Sequence, residues 1–205
     1  MPAKNTLKTD MPNSYYHVYS RGVAKQPIFL DNDDFDYFQY LFGRYLSFDQ
    51  AIGKSGVSYP HLRGGIELLA FCQMSNHFHM LFFQVEGGAL TGLMRGMMTA
   101  YSKYFNLKYK RTGPVFESRY KAVQITSDPQ LLHISRYIHM NPRYYKEYMY
   151  SSYQFYIGNK EAPEWLQPQR MLELFDSPSA YAEFCEDYVN RREILQQVKD
   201  DLAGY

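Results

Sequence analysis

Apolar positions recur along this chain with two different periods, and each change of period marks a change of element. Tyr15-Tyr16-His17-Val18-Tyr19-Ser20 is rich in strand formers and stops at Arg21-Gly22. From Asp31 to Ser47, acidic residues give way to Phe35, Phe38, Leu41, Phe42 and Tyr45, the spacing of one helix face. Residues 51–64 hold several glycines, a proline and basic groups, and read as a loop or hairpin tip. Gly65 to Phe83 contains two apolar runs interrupted by Gln73-Met74-Ser75-Asn76. That pattern predicts either two antiparallel strands joined at the break or one long bent strand.

Ala89 to Leu107 returns to the helical period, with Leu90, Leu93, Met94, Met97, Met98, Tyr101, Tyr104 and Phe105 on one broad face. Arg111-Thr112-Gly113-Pro114 is a turn, and Tyr120 to Ile125 alternates as a strand. A last clear helix is predicted to open at Asp128-Pro129, with Asp128 as N-cap, and to run to about Met140–Asn141, where Pro142 stops it. From Tyr148 onward the chain is acidic and helical in character. The order strand, helix, strands, helix, strand, helix suits an antiparallel α+β sandwich with helices on a small sheet. We divide the chain into a loose N-terminus at 1–14, a core domain at 15–157 and an acidic extension at 158–205.

Composition narrows the class. At 205 residues the chain is long enough to bury a core without staples. Neither a membrane span nor a secretory leader is expected: no apolar run is long enough to span, and the first residues carry no apolar stretch. The two cysteines, Cys72 and Cys185, stand far apart, which suits reduced thiols in the cytosol. Aromatic residues make up 18% of the chain; aromatics fill cores and also stack on unpaired bases. The net charge of +1 conceals an uneven distribution. Residues 95–146 hold 10 basic and 2 acidic side chains, net +8, while 147–205 hold 5 and 11, net −6. A basic segment interleaved with Tyr and Phe is the footprint of a phosphate-backbone binder. The acidic extension is expected to shield that segment.

Two motifs carry chemistry. In His77-Phe78-His79, strand alternation turns both imidazoles to one side, where they can share a divalent metal. Six histidines in the chain will pair by chance, so this motif alone identifies nothing. In Arg136-Tyr137-Ile138-His139-Met140-Asn141-Pro142, Tyr137 and Asn141 share a helix face, with His133 one turn earlier. A metal on His77, His79 and an oxygen ligand would polarise a phosphodiester. A tyrosine phenol could then form a covalent phosphotyrosine, splitting cleavage and rejoining into two steps. Such transesterification conserves bond energy and needs no nucleotide cofactor, and no Walker-type loop occurs.

These motifs, together with Tyr16-His17-Val18, Arg21-Gly22, Met74-Ser75-Asn76, Arg111 to Lys121, and Tyr148 with Ser151-Ser152-Tyr153, resemble the REP-associated tyrosine transposases. These are single-tyrosine HUH transposases related to insertion sequence 200. The resemblance covers roughly residues 15–157 and implies a ferredoxin-like antiparallel sheet carrying the histidine pair. It further implies Tyr137 as nucleophile, a Mg²⁺ or Mn²⁺ site completed by Asn141, and a tyrosine joined to a 5′-phosphate with a free 3′-hydroxyl. The implied partner is single-stranded or hairpin DNA, in the bacterial cytosol and nucleoid. Relatives often carry Gln at the position of Asn141, and the shorter amide leaves room for a water. Arg21, Arg111, Arg119, Lys121 and Arg136 are the expected DNA contacts. Monomer and homodimer, with the tyrosine acting in its own or the partner's site, both stay open.

Two other classes compete. A small sheet with aromatic and basic groups could bind a nucleic-acid hairpin without cutting it; the intact His77, His79 and Tyr137 argue against that. A hydrolase activating water at His77 and His79 would require further acidic or imidazole groups, and the flanking Asn76 and Gln84 are not acids.

Overall fold

The computed structural model describes residues 10–53 and 55–188. Four strands, β1 (Ser14–Arg21), β2 (Ile66–Met74), β3 (His77–Gln84) and β4 (Lys121–Ile125), form one sheet in the order β2-β3-β1-β4. All neighbours are antiparallel. With α1 (Asn32–Leu46) between β1 and β2 and α2 (Ala89–Lys108) between β3 and β4, the chain runs βαββαβ, the ferredoxin-like order. The interrupted apolar run at 65–83 is therefore a hairpin, turning at Ser75-Asn76.

Period-two alternation gives the sheet two different faces. On one, Tyr16 and Val18 of β1 and Phe78, Met80 and Phe82 of β3 pack against α1 and α2. On the other, Leu69, Ala70, Cys72 and Leu81 meet α3 (Asp128–His139), with Tyr153, Tyr156, Tyr181 and Cys185 beyond it. A bulge between Leu68 and Ala70 shifts the alternation of β2 by one residue, so that Leu68 and Phe71 face one core and Leu69, Ala70 and Cys72 the other. Aromatics dominate throughout: Tyr16, Tyr101, Tyr153, Tyr156 and Tyr181 are among the largest fully buried side chains, so packing accounts for much of the aromatic content.

The helices form where their apolar stripes predict. Asp31 caps α1 by accepting from the Asp34 amide. The N-cap of α3 is Ser127, not Asp128: Asp128 already belongs to the first turn, where its charge favours the positive end of the helix dipole. Lys108, at the C-terminal end of α2, reaches Asp31 at 2.6 Å and the buried Asp34 at 3.0 Å. α2 lies so close to α1 that a Cβ at Gly96 would meet the Tyr45 hydroxyl at 2.8 Å and its ring at 2.9 Å.

After α3, the segment containing Ser151-Ser152-Tyr153 covers the open edge of β2. Tyr148 Oη donates to the Gln73 carbonyl at 2.6 Å, and the Ser152 amide donates to the Phe71 carbonyl at 2.9 Å. The acidic region holds two short helices, α4 (Tyr153–Tyr156) and α5 (Gln169–Leu172), and is helical again through 178–188. Part of the extension predicted at 158–205, and most of the N-terminal segment predicted at 1–14, lie outside the described residues. Residues 10–14 are not loose: Asp10 Oδ1 accepts from the Gly88 amide and the Gln84 side chain, each at 3.0 Å. Among the described residues no helix is long and apolar enough to cross a membrane.

Candidate active site

His77 and His79 leave β3 toward the α3 side because Phe78 between them is fully buried on the other. Tyr137 reaches the same place from α3. The buried face of that helix, Leu131, Ser135, Ile138 and His139, sits on the sheet and leaves Tyr137 at its flank. The Tyr137 ring lies 5.2 Å from the His79 ring and 6.1 Å from that of His17, edge-on to both. Asn141 follows just beyond the C-cap, Met140, and its Oδ1 stands 3.1 Å from Nε2 of His77. The two histidines, the tyrosine and the amide expected from the sequence thus meet within one chain, and the shorter Asn amide reaches His77 directly.

Hydrogen bonds orient the imidazoles. Nδ1 of His77 lies 2.6 Å from Asn76 Oδ1, which can only accept. A neutral ring has one N–H, so donation to Asn76 leaves the His77 Nε2 lone pair facing the Asn141 oxygen. Asn141 and His77 are thus within hydrogen-bond reach, through the Asn141 amide or through His77 Nε2 according to the tautomer. Burial holds His77 below the usual imidazole range. Burial lowers His17 to about 4, and burial with repulsion from His17, His77 and Arg21 lowers His79 to about 2. All three rings are then neutral at neutral pH, the form that binds metal. Among the described residues, no three His, Cys, Asp or Glu side chains are grouped to hold a metal. The available donor set is two imidazoles and an amide, all uncharged. It fits an ion that keeps its remaining positions for water and phosphate oxygens.

The floor of the site is clamped from behind. The amides of Ile28 and Phe29 both donate to the Ser75 carbonyl, the Gly22 amide donates to the Asn76 carbonyl, and Asn76 Nδ2 donates to the Lys25 carbonyl. This requires Ala24 and Lys25 in the left-handed region and no side chain at residue 22, where a Cβ would meet the Gln26 carbonyl oxygen at 2.1 Å. The Arg21-Gly22 motif is therefore explained by the turn that carries His77. His139, two residues after Tyr137, rivets the helix from its buried side. Its Nε2 is 2.6 Å from Ser152 Oγ and its Nδ1 is 2.6 Å from Tyr181 Oη.

A cavity of about 450 Å³ opens beside the tyrosine, lined by His17, Tyr19, His79, Val123, His133 and Tyr137 among others. The expected DNA contacts divide around it. Arg21 ends β1 opposite His77, exposed. Lys121 pairs with Tyr19 across β1 and β4, 5.8 Å from its ring, and lies 3.5 Å from Glu117. Arg119 lines a separate groove along α2 of about 830 Å³, with Arg95 and Lys103. Arg111 lies over the Phe105 ring at the end of α2. Arg136 is stacked on Phe184 at 4.4 Å and Tyr188 at 4.7 Å. The basic segment is thus partly used internally: Lys108 by Asp31 and Asp34, Lys146 by Glu186.

His17 and Asn76, which the sequence places in motifs of the resemblance without a role of their own, also stand in the site. The alternation Tyr15-His17-Tyr19 in a strand was the available signal for His17. For Asn76, adjacency to His77 was the signal.

Residues 57–141 match the family model described as "Transposase IS200 like", a span that contains His77, His79, Tyr137 and Asn141. No curated protein matches. Among solved structures, the chain is similar to one described as "Structure of the REP associates tyrosine transposase bound to a REP hairpin". The TM-score is 0.53 at 12% identity, covering 78% of this chain and 89% of that one. The fold is the one this resemblance implied.

Proposed function

We propose, from the premise that residues 57–141 carry the IS200-like transposase match, that this protein is a metal-dependent nicking and joining enzyme acting on single-stranded or hairpin DNA. The observation that carries the reading is the meeting of Tyr137 with the His79 ring, 5.2 Å away, beside a His77–Asn141 pair 3.1 Å apart. Tyr137 Oη attacks a backbone phosphorus. The new bond joins Oη to the 5′-phosphate, the phosphorus–O3′ bond breaks, the phenol proton is lost, and the 3′-oxygen leaves as a hydroxyl. Attack by another 3′-hydroxyl reverses these changes and releases the tyrosine.

His77, His79 and Asn141 would hold Mg²⁺ or Mn²⁺, which would supply positive charge to the phosphate oxygens. Asn76 orients His77. Arg21 adds a cation at the rim. The REP-associated tyrosine transposase described above was bound to a REP hairpin, and a DNA hairpin is the partner proposed here.

A covalent-trapping assay tests this. The full chain is mixed with labelled hairpin DNA from the flanks of its own gene and Mn²⁺, then denatured. The expected result is a denaturation-resistant adduct that disappears in Tyr137→Phe, in His77→Ala and with chelator. Retarded DNA without any adduct, across several hairpins, would support a binding module instead. An adduct that survives Tyr137→Phe would remove Tyr137 as nucleophile.

A further inference from the structure

His17 is a buried polar side chain to which the chemistry above gives no role. It lies on β1, opposite Leu81 in β3 and Val123 in β4, so His79 is its diagonal neighbour. Its Nε2 is 2.9 Å from Nδ1 of His79. Its ring lies against two others, 5.2 Å from Tyr19 at 28° and 5.1 Å from His79 at 20°, and those two are 5.8 Å from each other. The ring is thereby fixed in both position and tilt.

One proton joins the two nitrogens. If His17 donates, the neutral His79 ring carries its own proton on Nε2 and has no lone pair left there for a metal. If His79 donates from Nδ1, its Nε2 is left as an acceptor, and His17 must be the tautomer protonated on Nδ1. We infer that His17 is the positioning residue of this metal site: it accepts the Nδ1 proton of His79, fixing the tautomer and ring orientation in which His79 Nε2 binds the ion. Asn76 does the same for His77, accepting from its Nδ1 at 2.6 Å. Both ligating rings are thus held from the Nδ1 side, one by an amide oxygen and the other by an imidazole, with no carboxylate involved. Outer partners of this kind commonly change metal affinity 10–100-fold.

The inference rests on the reading of His77, His79 and Asn141 as metal ligands, and its test does not depend on DNA cleavage. Mn²⁺ affinity of the full chain is measured by titration for wild type, His17→Phe and His17→Gln. Phe keeps a ring of similar bulk and removes the acceptor; Gln restores an acceptor at the same reach. Weakening of about 10–100-fold is expected in His17→Phe, with His17→Gln within about threefold of wild type. On metal-free protein labelled with ¹⁵N-histidine, His79 should carry its proton on Nδ1 in wild type and His17→Gln. The His79→Ala spectrum identifies that signal.

Equal affinity in wild type and His17→Phe, equal losses in both variants, no Mn²⁺ binding by wild type, or an Nε2-protonated His79 in wild type would each overturn the inference. The two readings fail separately. Mn²⁺ binding that depends on His17 in a protein that never forms an adduct would sink the nicking reading alone. An adduct-forming enzyme whose Mn²⁺ affinity ignores His17 would sink this one alone.

Discussion

The two faces of β3 use the same strand for opposite ends. Phe78, Met80 and Phe82 point to α1 and α2 and are almost fully excluded from water, in a setting of aromatic rings and aliphatic chains. His77 and His79 point to α3, where neighbouring groups are held by hydrogen bonds rather than by apolar contact alone. One face makes the strand immobile; the other uses that immobility to hold two imidazoles toward a tyrosine. Chemistry that depends on sub-ångström placement is built on rigid elements, and here the rigidity comes from the residues in between.

The sharpest way to separate the faces is to change adjacent residues. His77→Ala and Tyr137→Phe should each lower the rate of adduct formation by about 10³-fold or more. Both should shift the thermal unfolding midpoint by only a few degrees in calorimetry. Phe78→Ala should do the reverse to stability, with a loss of about 3–5 kcal/mol in urea unfolding, from the cavity it leaves under α1. A Phe78→Ala protein as stable as wild type would show that the α1 and α2 face is not what holds the site.

Gly22→Ala tests the join between the faces. The added methyl would meet the Gln26 carbonyl oxygen at 2.1 Å, so the clamp on Ser75-Asn76 must shift. A loss of about 1–3 kcal/mol in urea unfolding is expected, together with weaker Mn²⁺ binding through displacement of His77. An unchanged Mn²⁺ affinity would free the His77 hairpin from any dependence on that turn.

The buried histidines of the α3 face also set a pH dependence that the apolar face lacks. Burial lowers His17 to about 4 and His139 to about 3, so the folded state resists protonation more than the unfolded chain does. Their stabilisation is complete above the unfolded value near 6.5 and is lost as pH falls through the folded values. Each steepens the loss by up to about 1.4 kcal/mol per pH unit in that window. Urea unfolding between pH 7 and 4 should therefore show a flatter slope in His139→Phe than in wild type, and an identical slope would contradict the assignment. The smallest effect is expected at Arg136, stacked on Phe184 and Tyr188. Arg136→Ala should cost about 0.5–1 kcal/mol in the same unfolding experiment.

Much of this division was legible in the sequence. The alternation around His77-Phe78-His79 is enough to put both imidazoles on one face, and the Tyr137 to Asn141 spacing is enough to bring both residues to one end of α3. The hairpin was ambiguous because Gln73-Met74-Ser75-Asn76 contains no glycine or proline to mark a turn. What makes the turn is a long-range clamp from residues 22–29, which no local pattern reports. The role of His17, though the residue lies in a recognisable motif, is not visible locally for a related reason: it rests on a diagonal contact with a residue 62 positions away. Net charge along the chain does not reveal that Lys108 and Lys146 are paired with acids and that Arg136 is stacked on rings.

In the proposed reaction Tyr137, delivered by α3 to the histidine face, supplies the oxygen that bonds to DNA. Its most direct test is to digest the trapped adduct with nuclease and protease and locate the remaining nucleotide by fragmentation mass spectrometry. A 5′-linked nucleotide is expected on the peptide spanning residues 137–143, whose one tyrosine is Tyr137. A nucleotide on any other residue, or attached through its 3′-phosphate, would contradict it.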